Sequence, residues 1–259
     1  MYNRPMTNTV TLIRSSDRKT AAAATPNGKG VKVNNAFGLP AGKAFSCPGA
    51  TPLCEKVCYA GRIEKQYKAF LAVMLANFAA LSGKNVDEMT DLLTVMITDF
   101  VSECTRKNVP AFFRIHHDGD FFSTDYAIAW DNVIKAFPEV TFWVYTRSFT
   151  PEMNVVPFLV GNANLNLLLS VDLYNKQHAT AIVAEFPDVA IATLADTFAE
   201  AAEVSREIRG TVKPGAACPE LTKAIPLISE KGGACFACGL CTVKRESGPI
   251  DIRFAVKKR

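Results

Sequence analysis

The sequence predicts an α/β chain: a partial (β/α) barrel or a parallel sheet, with a helical N-terminal excursion and a cysteine-rich, cluster-binding C-terminal tail. Three observations point there. Between positions 111 and 194 four apolar runs recur at intervals of roughly 25 residues, each followed by a helical pattern. Hydrophobic residues make up 49% of the 259 positions, enough to bury a sizeable core. Cysteines crowd into "CPGATPLCEKVCYAG" at 47–61 and again into "CPE" at 218–220 and "GGACFACGLC" at 232–241.

The elements follow in order. Residues 1–46 read as an irregular basic arm, rich in Ala, Gly, Asn, Pro and Lys and without a sustained period. "RIEKQYKAFLAVMLANFAAL" at 62–81 places apolar residues at helical spacing with few breakers. "NVDEMTDLLTVMITDFVSEC" at 85–104 is a second helix, capped by Asn85 or Asp87, with acidic residues in its first turn. Strand and helix then alternate: "AFFRIH" (111–116) with a helix over 123–137, and "VTFWVYT" (140–146) with one over 151–160, where Pro151 suits a first turn. "NLLLSVD" (166–172) is followed by a helix over 175–186, and "VAIATL" (189–194) by one over 196–209. Apolar strands joined by helices imply a parallel sheet. The expected division is the arm at 1–46, a cluster-binding core at 47–210, and a metal-binding extension at 211–259.

The start, "MYNRPMTNTVTLIRSSDRKT", has neither the apolar stretch nor the cleavage pattern of a secretory signal. No apolar run reaches the roughly 18 residues that span a bilayer. The expectation is a soluble protein of the cytoplasm, with no membrane partner. In a reducing compartment clustered cysteines indicate metal binding or catalysis, not disulfides. Charge is uneven. Residues 1–70 carry 11 Lys and Arg against 3 Asp and Glu, residues 71–210 carry 9 against 18, and residues 211–259 carry 9 against 4. Both cysteine-bearing ends are basic, which suits an anionic partner such as a nucleotide or nucleic acid, or simply solvated surface.

Cys235, Cys238 and Cys241 form a C-x2-C-x2-C run, with Gly232, Gly233 and Gly239 free to wrap a cluster and Cys218 as the natural fourth ligand. That spacing is the ferredoxin-type ligation of a [4Fe–4S] cluster. Four cysteines also make a structural zinc site, so zinc is the alternative metal. The opening group, Cys47, Cys54 and Cys58, has only three thiols. Three thiolates on a four-iron cluster leave one iron open for substrate or cofactor; alternatively His116, His117 or Cys104 closes a zinc site there. Cys104 otherwise reads as an ordinary half-buried thiol.

In parallel α/β folds the site lies at the C-terminal ends of the strands. Here the strands end in "HHDGDFFS", "YTRS", "SVD" and "TLAD". Ser123, Asp172 and Asp196 could serve as helix caps, but His116, His117, Asp118, Asp120 and Arg147 exceed what capping needs.

With "FGLPAG", "SCPGATPLCEKVCYAG", "HHDGDFFS", "YTRS", "LLLSVD" and "CPE…CFACGLC" in place, the chain resembles the phage gene product 88 family over most of residues 35–245. More distantly it resembles radical S-adenosylmethionine (SAM) enzymes, which are partial (β/α) barrels with a three-cysteine [4Fe–4S] cluster. This chain has C-x6-C-x3-C where those enzymes have C-x3-C-x2-C. The resemblance implies Cys47, Cys54 and Cys58 as cluster ligands, and Gly119 and Asp120 in the place of the motif that meets the SAM amino group. It puts Ser170 and Asp172 near the cofactor, and an auxiliary cluster at Cys218, Cys235, Cys238 and Cys241.

The leading expectation is therefore an iron–sulfur enzyme with one or two clusters, supplied by a reductant and modifying a nucleotide or nucleic acid. His117, Asp118 and Arg147 would position the substrate or move protons. A second reading is a metal-stapled nucleic-acid- or protein-binding protein without catalysis. A third is a zinc-dependent barrel enzyme acting on a base, with Asp118, Asp120 or Asp172 as nucleophile or base.

Overall fold

The computed structural model describes residues 10–22, 31–245 and 247–256. Parts of the arm (1–9 and 23–30), Glu246 and the last three residues lie outside the described residues.

Seven strands form one parallel sheet in the order β1-β2-β3-β4-β5-β9-β6. The four strands expected from the sequence are its centre: β2 (Phe112–Asp118), β3 (Thr141–Thr146), β4 (Leu165–Val171) and β5 (Ala190–Ala195). Three short strands complete it. β1 (Ala36–Gly38) comes from the stretch read as irregular arm, and β6 (Ala216–Ala217) and β9 (Ile252–Ala255) flank the cysteine-rich tail. A two-stranded antiparallel pair, β7 (Ile228–Ser229) and β8 (Gly232–Gly233), lies within that tail. Among the described residues the edges β1 and β6 do not pair, so the sheet is open and no barrel closes.

β1 to β5 sit side by side in sequence order. Right-handed crossovers between such neighbours put their helices on one face, and the core bears this out. Phe113, Ile115, Phe142, Val144, Leu167, Leu169 and Ile191 of the sheet bury against α4 (Val86–Lys107), α5 (Thr124–Ala136), α7 (Lys176–Glu185) and α8 (Phe198–Arg209). Among the described residues the opposite face has no helical layer of that kind. There Leu168, Ala190 and Ala192 pack with Tyr145, Phe254 and Cys241, so the tail itself covers the sheet. Phe236, in the short helix α9 (Ala234–Cys238), packs edge-on against Phe112 with ring centres 5.7 Å apart.

The long predicted helix over 62–81 is two helices, α2 (Tyr59–Gln66) and α3 (Lys68–Leu81), with Tyr67 in extended backbone at φ −119°, ψ 96° between them. A helix α1 (Pro52–Val57) precedes them inside the first cysteine group. Asn85 caps α4 in a reciprocal capping box with Glu88, and Asn108 ends that helix in left-handed backbone. Ser123 caps α5. Thr197, not Asp196, caps α8. The helix expected over 151–160 shrinks to one turn, α6 (Val156–Leu159), because Thr150 and Met153 exchange backbone hydrogen bonds and fold 150–153 into a turn. Cys104 lies on the core face of α4, and burial pushes its thiol up to about 11, so it is an inert packing residue.

Candidate functional site

The first cysteine group leaves the exit of β1. Gly42 O accepts hydrogen bonds from Phe45 N and Cys47 N, and Cys47 O accepts one from Ala50 N, which folds the loop back. Thr51 caps α1 by accepting from Cys54 N at 3.1 Å, with Pro52 at the first helical position. Cys58 ends α1 and caps α2, its Sγ accepting from Gly61 N at 3.3 Å. The three cysteines thus occupy a loop, a helix and a helix junction. Burial raises the Cys47 and Cys54 thiols; Asp120 and Cys54 add to the rise at Cys47, while at Cys54 Arg147 opposes it and Cys58 and Asp120 add to it. The three form one electrostatic neighbourhood.

That loop is stitched to the exits of β2, β3 and β4. Asp120 accepts from Thr146 Oγ1 at 2.7 Å and Phe121 N at 2.8 Å through one oxygen, and from Arg147 N at 2.7 Å through the other. Arg147 donates to Asp172 at 2.7 Å and to Thr51 Oγ1 at 3.3 Å. Thr51 in turn donates to Asp172 at 2.5 Å. The Arg147 and Asp172 side chains are 6% and 0% exposed, so this is a buried, hydrogen-bonded ion pair. The second Asp172 oxygen accepts from Tyr174 N, and Asn175 bridges Asp172 N and Ser170 O. Burial raises Asp120 to about 6 against the hydrogen bonds that hold it down. Gly49 lies directly on the Arg147 carbonyl. Gly119 adopts φ +78° with Leu39 and Ser46 where a Cβ would stand.

The β2 exit carries a second group. Ala36 faces Arg114 while Gly38 faces Asp118, so β2 bulges between those pairs. The bulge re-aims both histidines. His116 Nε2 meets the Tyr126 hydroxyl at 3.1 Å, and the His117 ring lies tilted against Phe70 of α3, with ring centres 5.8 Å apart. His117 Nε2 and Asp118 Oδ2 are buried and have no hydrogen-bond partner. Burial holds His116 at about 3 and His117 at about 4, both neutral. Asp118 rises to about 8 from its ordinary 3.8, through burial and then the Glu64 carboxylate. Glu64 is itself buried and raised, and accepts from Ala41 N at 2.8 Å.

Asp118 therefore opposes folding increasingly as pH rises from near 4 to about 8, because only the unfolded chain ionises it freely there. Asp118→Asn is expected to flatten that limb of a urea-denaturation pH series and to stabilise the protein near neutrality by at least about 1 kcal/mol. An unchanged slope would show that the carboxyl is not held protonated.

The second cysteine group sits on the other face of the sheet. Cys241 packs in the same cluster as Tyr145, and its carbonyl accepts from Asn166 at 2.8 Å. Cys241 is acted on by Cys235, Cys218 and Cys238, and Cys235 by Cys218, so the four form one neighbourhood. Burial pushes both Cys235 and Cys241 up to about 12. Arg114, paired with Asp17 at 2.8 Å and lying over the Trp143 ring at 4.8 Å, acts on Cys235 from the sheet. Gly239 supplies the left-handed turn after α9 at φ +69°. Among the described residues no three His, Cys, Asp or Glu side chains are already drawn together around a metal position.

The chain thus brings Cys47, Cys54, Cys58, Asp120, Arg147 and Asp172 together, with His117, Asp118 and Gly119 beside them at the β2 exit. It keeps Cys218, Cys235, Cys238 and Cys241 apart on the covered face. Sequence reasoning missed Thr51, Glu64, Arg114 and Tyr145. "ATPLCE" did carry the Thr-Pro signature of a helix start; nothing local marked the other three.

A family model described as Gene product 88 matches residues 10–244. A "Gene 88 protein" of Mycobacterium phage L5 is 40% identical over 252 residues, covering 96% of this chain and 99% of that one. Another, of Mycobacterium phage D29, is 41% identical over 241 residues, covering 91% and 95%. No solved structure matches. No described helix is long and apolar enough to cross a membrane.

Proposed function

The chain belongs to the gene product 88 family, and from that premise we propose an iron–sulfur protein with an open-sided cluster site on the strand rim, in the manner of a radical SAM enzyme. The observation that carries this reading is the path of the cysteine triplet, which leaves the first strand and is pinned beside the exits of β2, β3 and β4. The donor chemistry fits: soft thiols gathered three and four at a time suit iron–sulfur or zinc binding. Their protons would leave on loading, with the sulfurs drawn inward. Bound at Cys47, Cys54 and Cys58, a [4Fe–4S] cluster would leave one iron open and supply one-electron chemistry to a ligand such as SAM.

The protein's own groups divide the remaining work. Thr51, Arg147 and Asp172 fix the loop against the rim. Asp120 has its carboxylate turned onto Thr146, Phe121 and Arg147, so it acts as a positioning residue. His117, neutral with a bare buried nitrogen, and Asp118, protonated near neutral pH, hold and pass a proton beside the triplet. Cys218, Cys235, Cys238 and Cys241 bind a second cluster or zinc whose role is structural, since this segment is what packs onto the otherwise bare face of the sheet through Cys241 and Phe236.

Iron, sulfide and zinc analysis of anaerobically purified protein tests this, with EPR of the reduced sample. About eight irons are expected, with a spectrum that changes on adding SAM. Cys54→Ala with Cys58→Ala should remove about half the iron and leave the fold, whereas Cys238→Ala with Cys241→Ala should lower the thermal midpoint. Zinc without iron would end the proposal, and equal unfolding by both pairs would remove the distinction between the two sites.

A further inference from the structure

The rim around the triplet has an outward side that the cluster reading does not use. Phe45, Tyr59 and Tyr174 are 43%, 48% and 58% exposed. Phe45 stands two positions before Cys47, and Tyr59 directly follows Cys58. Tyr174 N is bound to Asp172, whose other oxygen is bound to Thr51 at the start of α1, so the third aromatic flanks the same loop. Large exposed rings around one loop are unusual in a chain whose other aromatics are mostly buried. Over residues 43–65, the stretch that carries the loop, Lys43, Lys56, Arg62 and Lys65 are all exposed, against a single exposed acid, Glu55; Glu64 is turned inward.

We propose that this face binds single-stranded nucleic acid, with Tyr174 and Phe45 as stacking platforms and Lys43, Lys56, Arg62 and Lys65 following the phosphates. The inference rests on the rim being the functional face and names its substrate class. Aromatic rings set among cations are how proteins hold unpaired bases, because every base has a flat face and every nucleotide a phosphate. A duplex hides its bases from such rings. The charge also argues against an apolar protein partner, whose interface core would be depleted of lysine. Bases held there would lie beside the triplet, next to the β2 exit where the Tyr59 hydroxyl donates to the His117 carbonyl.

Fluorescence anisotropy of the full chain tests this, with labelled oligo(dT) and oligo(U) of about 20 nucleotides, a duplex of the same length, and anionic vesicles as competitor. The expected result is single-strand binding that beats the duplex and falls steeply between about 50 and 200 mM salt. Tyr174→Ala should weaken it by about 5- to 100-fold without altering the salt slope, and Lys56→Gln should reduce that slope by about 0.7. Preference for dT or U identifies DNA or RNA. No binding, equal binding to duplex, vesicle binding alone, or indifference to Tyr174→Ala each overturns the proposal. Iron measured on the same samples separates the two readings. Iron-loaded protein that ignores oligonucleotides sinks this inference alone, and metal-free protein that binds them sinks only the cluster.

Discussion

Arg147→Ala is expected to destabilise the protein by about 3–5 kcal/mol in urea or guanidinium unfolding. The cost comes from what is left behind. Asp172 is fully buried, and Arg147 is its cationic partner at 2.7 Å. Thr51 donates to the same oxygen, but a hydroxyl does not neutralise a carboxylate. The truncated chain must therefore hold an uncompensated charge or take up a proton. A double-mutant cycle with Asp172→Asn separates the ion pair from simple loss of packing. The second substitution should recover part of the loss, because the remaining amide carries no charge. A loss below about 1 kcal/mol for Arg147→Ala would show that water reaches the pair and that the rim is not sealed there.

Gly49→Ala is the second large effect. A methyl group at this position falls on the Arg147 carbonyl oxygen, and neither side can retreat easily. The Arg147 backbone is held by Asp120 and its side chain by Asp172. The cysteine loop must lift instead, at a cost of about 1–3 kcal/mol or more. Cys47 and Cys54 would then alkylate faster with iodoacetamide in metal-free protein, as burial relaxes its hold on their protons. Gly161→Ala is the control, since a Cβ there meets nothing within 4 Å. Equal effects from the two glycines would mean that the loop does not bear on the strand end.

The central sheet was legible because β2 to β5 are apolar runs, several of them buried on both faces, and such runs announce themselves locally. β1 was not, since Ala36–Gly38 is three residues inside a stretch rich in Asn, Gly and Pro, and becomes a strand only by pairing with β2. β6 and β9 escaped for the same reason. The cysteines were legible as motifs, and their separation into two groups follows the chain. The network that fixes the first group was not, because Arg147 reaches back 96 positions to Thr51 and Asp120 forward 27 to Arg147. Glu64 was hidden by its helix: in sequence it is one charge among several on α2, and only the fold turns it toward Asp118.

The placement of β9 bears on how the molecule is made. Among the described residues β6 has one neighbour in the sheet, β9, and β9 follows both β1 to β5 and the cysteine tail in chain order. A nascent chain can lay down β1 to β5 and seat the first cysteine loop while the segment holding Cys218 to Cys241 is still outside the sheet. That segment is tied to Lys19, Ala21 and Ala22 through Glu220, Gly233 and Gly232, and gains its place in the sheet when Ile252–Ala255 slides between β5 and β6. The order of synthesis thus sets an order of maturation, with the rim complete first and the covered face closed last by the strand that follows it.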